Sequence, residues 1–155
     1  MDPIYLRINR RNSFDLTLVD LPGLVADDDF SERVIKAIYK NYINKEKRNV
    51  IPLLVSAAEG DFAAVNSQKF VRHEDAWDRT LTIITKVDRR DENYLKFNYE
   101  KMNLGLGTYF VRNRTLAEVE ANMSYEETLS KEREVLAHSD FDAIPADQKG
   151  ILNLI

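Results

Sequence analysis

LTLVDLPGL, residues 16–24, is the stretch on which the reading of this chain turns. Four strand-forming residues run straight into an acid, a proline and a glycine. Two structures suit such a run. One is a tight turn and nothing more. The other is a sheet strand that ends at a ligand edge. There, Asp20 can reach a metal ion through water, and Gly23 lets a backbone N–H approach a phosphate. D-x-x-G alone is a weak signal, since about half a match is expected by chance in a chain this long. DQKG, Asp147 to Gly150, matches as well, follows no strand pattern, and reads as a helix-adjacent turn.

Working outward, Ile4, Leu6 and Ile8 alternate with polar residues, RRNS follows, and the apolar pattern resumes at Leu16. This predicts an N-terminal antiparallel hairpin. The period then changes. Val34, Ile35, Ile38, Tyr39, Tyr42 and Ile43 recur at helical spacing, with Asp29 and Glu32 at capping-box separation. NVIPLLVSA is continuously apolar and predicts a strand covered on both faces, although Pro52 inside it argues the other way. A weaker helix over DFAAVNSQKFVRHEDAW precedes the β-branched strand RTLTIITKVD. A short helix over NYLKFNYEKM and a strand over GTYFVRN come next. SYEETLSKEREVLAH opens with Ser124 and Glu127 at capping-box spacing, and SKEREVL reads as a solvated helix face. Helix and strand in alternation predict an α/β fold with a mostly parallel sheet and flanking helices, whose ligand edge lies at the carboxyl ends of the strands.

Composition narrows the chemistry. The 155 residues carry a net charge of −4, which argues against nucleic-acid binding driven by counterion release. There is no cysteine, so disulfides and thiolate metal sites are excluded. His73 and His138 are the only histidines, too few for a multi-histidine zinc site, and both read as surface residues. No apolar run has the length of a bilayer span, and no signal-peptide pattern is seen at the start. A cytoplasmic setting fits best.

Two further strand ends carry polar groups. In TKVD, the Asp88 carboxylate can accept from the N1–H and N2–H₂ edge of guanine, whereas adenine offers an acceptor at N1 and is rejected. The aliphatic stem of Lys86 can lie over a base with its ammonium in water. In VRNRT, Asn113 can donate and accept on a base or ribose, and Arg114 can stack or donate. The plain alternative for each is a charged turn after a strand.

Taken together and in this order, the three stretches resemble the guanine-nucleotide motifs of the dynamin superfamily of large GTPases. LTLVDLPGL is similar to that family's third motif, IITKVD to its fourth, with Thr85 where other GTPases use Asn, and VRNRT to its fifth. The resemblance implies that Asp20 reaches Mg²⁺ through water and Gly23 senses the γ-phosphate of GTP. It implies that Thr85, Lys86 and Asp88 read guanine, with Asn113 and Arg114 completing the base pocket. Leu116 stands where the family often has Gln, so a polar contact from that position is not expected. Dimerisation across the nucleotide face is also implied, for which Phe110 and Trp77 are apolar candidates, with simple packing as the alternative.

One departure is larger. The phosphate-binding sequence G-x-x-x-x-G-K-[ST] does not occur in these residues, and LGLGTY lacks the lysine. The expectation for residues 1–155 is therefore an incomplete P-loop GTPase fold, the C-terminal part of a dynamin-type G domain with its first and second motifs absent. A parent protein would hydrolyse GTP and couple that to self-assembly on membranes, through segments not present in this sequence. The chain alone is expected to bind guanine nucleotide only weakly and not to turn it over. Loss of the phosphate-loop strand is expected to leave neighbouring strands with unpaired edges. The alternatives are a non-enzymatic α/β remnant serving as a protein-interaction module, and an unrelated domain that mimics the motifs by chance.

Overall fold

The computed structural model describes residues 15–22, 29–43, 49–62, 65–102 and 105–154. Among them lie three strands, β1 (Leu53–Ala57), β2 (Leu81–Thr85) and β3 (Thr108–Phe110). The helices are α1 (Asp29–Ile43), α2 (Asn66–His73), α3 (Tyr94–Met102), α4 (Leu116–Glu120) and α5 (Tyr125–Leu136). The strands form one parallel sheet in the order β1-β2-β3. Leu53 pairs with Leu81, and Thr82 with Thr108. The fold class is thus α/β with a parallel sheet and flanking helices.

Register explains the burial. Leu54, Ile84 and Phe110 fall on one face of the sheet and join Phe62, Val87, Tyr94, Leu95, Met102, Leu136, Phe141 and Ile144 in the main core. Leu53 and Val55 fall on the other face and stay exposed at 47% and 57%. The expected two-sided cover of this strand is therefore not seen. Among the described strands β1 pairs with β2 alone, and one face carries its packing. β2 has neighbours on both sides and buries Thr82, Ile83 and Ile84 in succession. Pro52 sits just ahead of β1, where its missing N–H costs no ladder bond, and its carbonyl accepts from Leu81 N–H at 2.9 Å.

Ile43, Phe70, Val71 and Ala76 form a second, smaller cluster, with Tyr39, Tyr42 and Trp77 packed against it. Tyr39 meets Phe70 edge-to-face at 5.3 Å. Arg79 links α1 to the entry of β1 by donating to the carbonyls of Ile43 at 2.5 Å and Val50 at 2.6 Å.

The predicted hairpin lies partly outside the described residues. Its second half, 16–20, forms neither strand nor helix, and Leu16, Leu18 and Val19 are exposed. A strand needs a ladder partner for its backbone groups, and none of the three described strands pairs with this segment. The predicted cap residues of α1 lie outside the side chains the structure describes. Phe110, a candidate for a dimer face, is fully buried between Tyr99 and Phe141, and Trp77 packs in the second cluster under the Arg72 guanidinium. DQKG proves to be a turn around the short helical turn Ala146–Gln148.

Candidate nucleotide-reading edge

Parallel strands end on the same edge, so β2 and β3 deliver the residues that follow them to neighbouring positions. Thr85 closes β2. Its hydroxyl donates to the Ser56 carbonyl at 3.2 Å, and its own carbonyl accepts from Ala58 N–H at 2.9 Å. Thr85 therefore ties β2 to the exit of β1. Lys86 takes the left-handed conformation, with φ 56° and ψ 35°. That conformation is unusual for a side chain with a Cβ, and it turns the chain into the short helical turn Val87–Arg89. The Lys86 ammonium lies out on the rim, 3.7 Å from the Glu59 carboxylate. Val87 is fully buried and anchors the turn, which leaves Asp88 at the surface of the edge.

The loop after β1 is fixed to the same region. Gly60 N–H donates to Asp91 Oδ2 at 2.6 Å, and Phe62 N–H donates to Asn98 Oδ1 at 3.0 Å. Asn98 is buried, and its amide donates in turn to the carbonyls of Gly60 at 3.2 Å and Tyr94 at 3.0 Å. Both amide donors and one acceptor site of the carbonyl are committed, to the loop after β1 and to the start of α3.

At the end of β3 the chain runs Val111, Arg112, Asn113, Arg114, Thr115 before α4. Asn113 and Arg114 are exposed, and Arg114 Nη1 donates to the Met123 carbonyl at 3.1 Å. Thr115 caps α4 in a capping box with Glu118. Arg112, by contrast, is buried. Its Nη2 donates to both oxygens of Glu118, at 2.7 and 2.8 Å. Its Nε lies 3.7 Å from Asp88 Oδ2. Hydrogen bonds from Arg112 first, then Lys131 and the Thr115 backbone, hold the Glu118 carboxyl well below the usual carboxylate range. Glu132 of α5 is also buried, at 3%, where it accepts from Arg112 N–H at 2.8 Å and from Ile151 N–H at 3.0 Å. SKEREVL is therefore not simply a solvated face. One of its acids stands in for a sheet neighbour at the end of β3, because two backbone donors there have to be satisfied.

Thr85, Lys86, Asp88, Asn113 and Arg114 are thus the exits of two adjacent strands, joined underneath by Arg112. Asp20 is exposed beside Tyr39 of α1, whose hydroxyl donates to the Pro22 carbonyl at 3.0 Å. Burial, then the Asp20 charge, pushes the Tyr39 hydroxyl up from its ordinary value. Gly23 lies outside the described residues.

Asp88 is part-exposed at the edge, and among the described residues its charged neighbour stands at 3.7 Å, so its acceptor sites remain open. The described residues hold no group of three or more acids or histidines able to take a metal. No helix among the described residues is long and apolar enough to cross a membrane.

Residues 1–87 match the model of the dynamin family. Among curated proteins, the chain is 34% identical over 146 residues to Phragmoplastin DRP1A of Arabidopsis thaliana, covering 88% of this chain and 24% of that protein. It is 33% identical over 159 residues to Putative dynamin-related protein 4A of the same plant, covering 97% and 50%. To Dynamin-related protein DNM1 of Saccharomyces cerevisiae it is 35% identical over 141 residues, covering 85% and 18%. The chain thus spans half or less of the length of these relatives.

Proposed function

The chain belongs to the dynamin family, and from that premise we propose that it supplies the guanine-reading part of a GTPase domain. The observation that carries this reading is the pairing of the two strand exits: Asp88 after β2 and Arg112-Asn113-Arg114 after β3 meet at one edge, with the Asp88 side chain part-exposed there. In this reading Asp88 accepts the two donors of the guanine edge. The stem of Lys86 covers the base, and Asn113 and Arg114 border it. Thr85 holds the loop by bonding Ser56 and does not itself touch the base.

Hydrolysis is assigned to a larger protein. Phosphoryl transfer is catalysed by positioning and charge stabilisation, and these residues contain no G-x-x-x-x-G-K-[ST] cradle to supply either. This chain alone therefore binds guanine nucleotide with a dissociation constant of about a millimolar and turns over no GTP. In a parent of the relatives' length, GTP with Mg²⁺ would be hydrolysed, and the energy coupled to self-assembly at membranes. Contact between two nucleotide faces would be part of that assembly.

The test is titration of the full ¹⁵N-labelled chain with GDP and with ADP, followed amide by amide. Saturable shifts for GDP at Lys86 to Asp88 and Asn113 to Thr115, at concentrations where ADP moves nothing, are expected. Equal response to the two nucleotides, or none, would overturn the reading. Phosphate release from GTP should stay at the buffer blank, and should not change in Asp20→Ala.

A further inference from the structure

We propose that Arg112 is a positioning residue for base recognition: from beneath the edge it orients the Asp88 carboxylate, and so sets the preference for guanine over hypoxanthine. This rests on the reading that Asp88 takes the base.

The argument begins with burial. The Arg112 side chain is 6% exposed, and a buried guanidinium persists only where carboxylates answer it. Two do so, from different elements: Glu118 of α4 and Asp88 after β2. The two contacts are unequal. Nη2 bonds both Glu118 oxygens at 2.7 and 2.8 Å, whereas Nε stops 3.7 Å short of Asp88. Glu118 is itself pinned, by Thr115 N–H at 2.9 Å and Lys131 Nζ at 2.8 Å. The Arg112 backbone is pinned by Glu132. The guanidinium is therefore clamped at its far end, and cannot advance on Asp88 without breaking the Glu118 fork.

At 3.7 Å the charge attracts and orients Asp88 but makes no hydrogen bond, which needs 2.7–3.2 Å. An ionised carboxylate has about four acceptor sites, and guanine needs two of them, one on each oxygen. The clamp leaves those sites to the base. A further detail points the same way: among the described residues, Arg112 Nη1 is buried without a hydrogen-bond partner. The guanidinium thus holds a donor in reserve beyond what the surrounding fold satisfies. Arginine suits this position because its planar fork can serve two carboxylates at once and never loses its charge.

Hypoxanthine differs from guanine only in lacking the 2-amino group, so the ratio of dissociation constants for IDP and GDP reads the second of the two base contacts alone. Loss of folded protein would weaken both nucleotides equally and leave that ratio unmoved. The experiment measures the ratio by nucleotide titration of the full chain and of Arg112→Met and Arg112→Lys. Wild type should favour GDP about tenfold, the worth of one hydrogen bond to a charged acceptor. Arg112→Met should fall to within about twofold of unity, and Arg112→Lys should lie between. If Arg112→Met does not fold, Glu118→Gln takes its place. Weakening the clamp lets Arg112 close on Asp88 and compete with the base, so the ratio should fall there too. A wild-type ratio in the folded variant overturns the inference while leaving the Asp88 reading intact. A wild-type chain with no preference for GDP over both IDP and ADP overturns that reading, and the inference with it.

Discussion

Replacing Gly105 by alanine tests how β3, and with it Asn113 and Arg114, is hung on the sheet. Gly105 lies in the turn before β3 at φ +60°, a conformation that costs an L-residue about 1 kcal/mol. A Cβ there would also come closer than 3.0 Å to the carbonyl oxygens of both Trp77 and Thr80, where ordinary contact begins at 3.4 Å. Those atoms are backbone and cannot swing aside. Thr80 O already accepts from Leu106 N–H at 2.8 Å, and Thr82 N–H donates to Gly107 O at 3.0 Å, so relief would have to come from the first rungs of the β2–β3 junction. Overpacking of this kind costs a further ~1–3 kcal/mol, for a total of ~2–4 kcal/mol. That is a large part of a typical domain stability of about 5–15 kcal/mol, and corresponds to a fall in Tm of roughly 5–15 °C at this chain length. Gly60→Ala is the control. Gly60 has φ +67° but open space where a Cβ would sit, so only the conformational cost applies, about 1 kcal/mol. Urea unfolding with unchanged m-value is the assay. Equal losses in the two variants would refute the packing argument.

Two titrations follow from the structure. Burial first, then the charges of Asp91 and Asp61, push the Tyr94 hydroxyl up to about 12 from 10.0. A raised value means that its contribution to stability is complete below pH 10.0 and is lost as pH rises toward about 12. Absorbance titration of the seven tyrosines should show late ionisation, with Tyr94 the later of Tyr39 and Tyr94, and Tyr94→Phe should remove that last step; a single common transition would contradict it. The depressed Glu118 carboxyl acts at the other end of the scale. Its contribution is complete above its ordinary value of 4.5 and is lost as pH falls below it. Urea midpoints measured from about pH 6 down to about pH 3 should drop less steeply in Glu118→Gln than in wild type, and parallel slopes would count against the Arg112–Glu118–Lys131 network.

How much of this was legible beforehand depends on the element. β2 was plain, because Leu81 to Thr85 is β-branched and ends in charge, and a central parallel strand buries both faces. The α5 cap was plain as well, since Ser124 and Glu127 carry their own spacing and the capping box is a local interaction. Residues 16–20 looked equally like a strand, but a strand is made by its neighbour, and pattern alone supplies no partner. β1 misled for a related reason: a continuous apolar run says that a residue is suited to burial, not that something lies on both sides of it. At the edge, the donor pattern of guanine singles out Asp88 as a candidate, whereas nothing in the sequence marks Arg112, Glu118 and Glu132 as more than ordinary charges. Thr115 and Glu118 do carry capping-box spacing, and that local signal would have located α4. Nothing local announces that a glutamate of α5 will sit beneath the end of β3, because that follows from packing between elements distant in sequence.

Asp88→Asn offers the most direct test of whether this carboxylate reads the base. The amide keeps one acceptor for N1–H and replaces the other with a donor, which suits the 2-carbonyl of xanthine in place of the 2-amino of guanine. The variant should lose GDP and gain XDP, inverting the order of affinities while folding as wild type does. Unchanged GDP binding with no gain for XDP would place the base elsewhere and contradict the account.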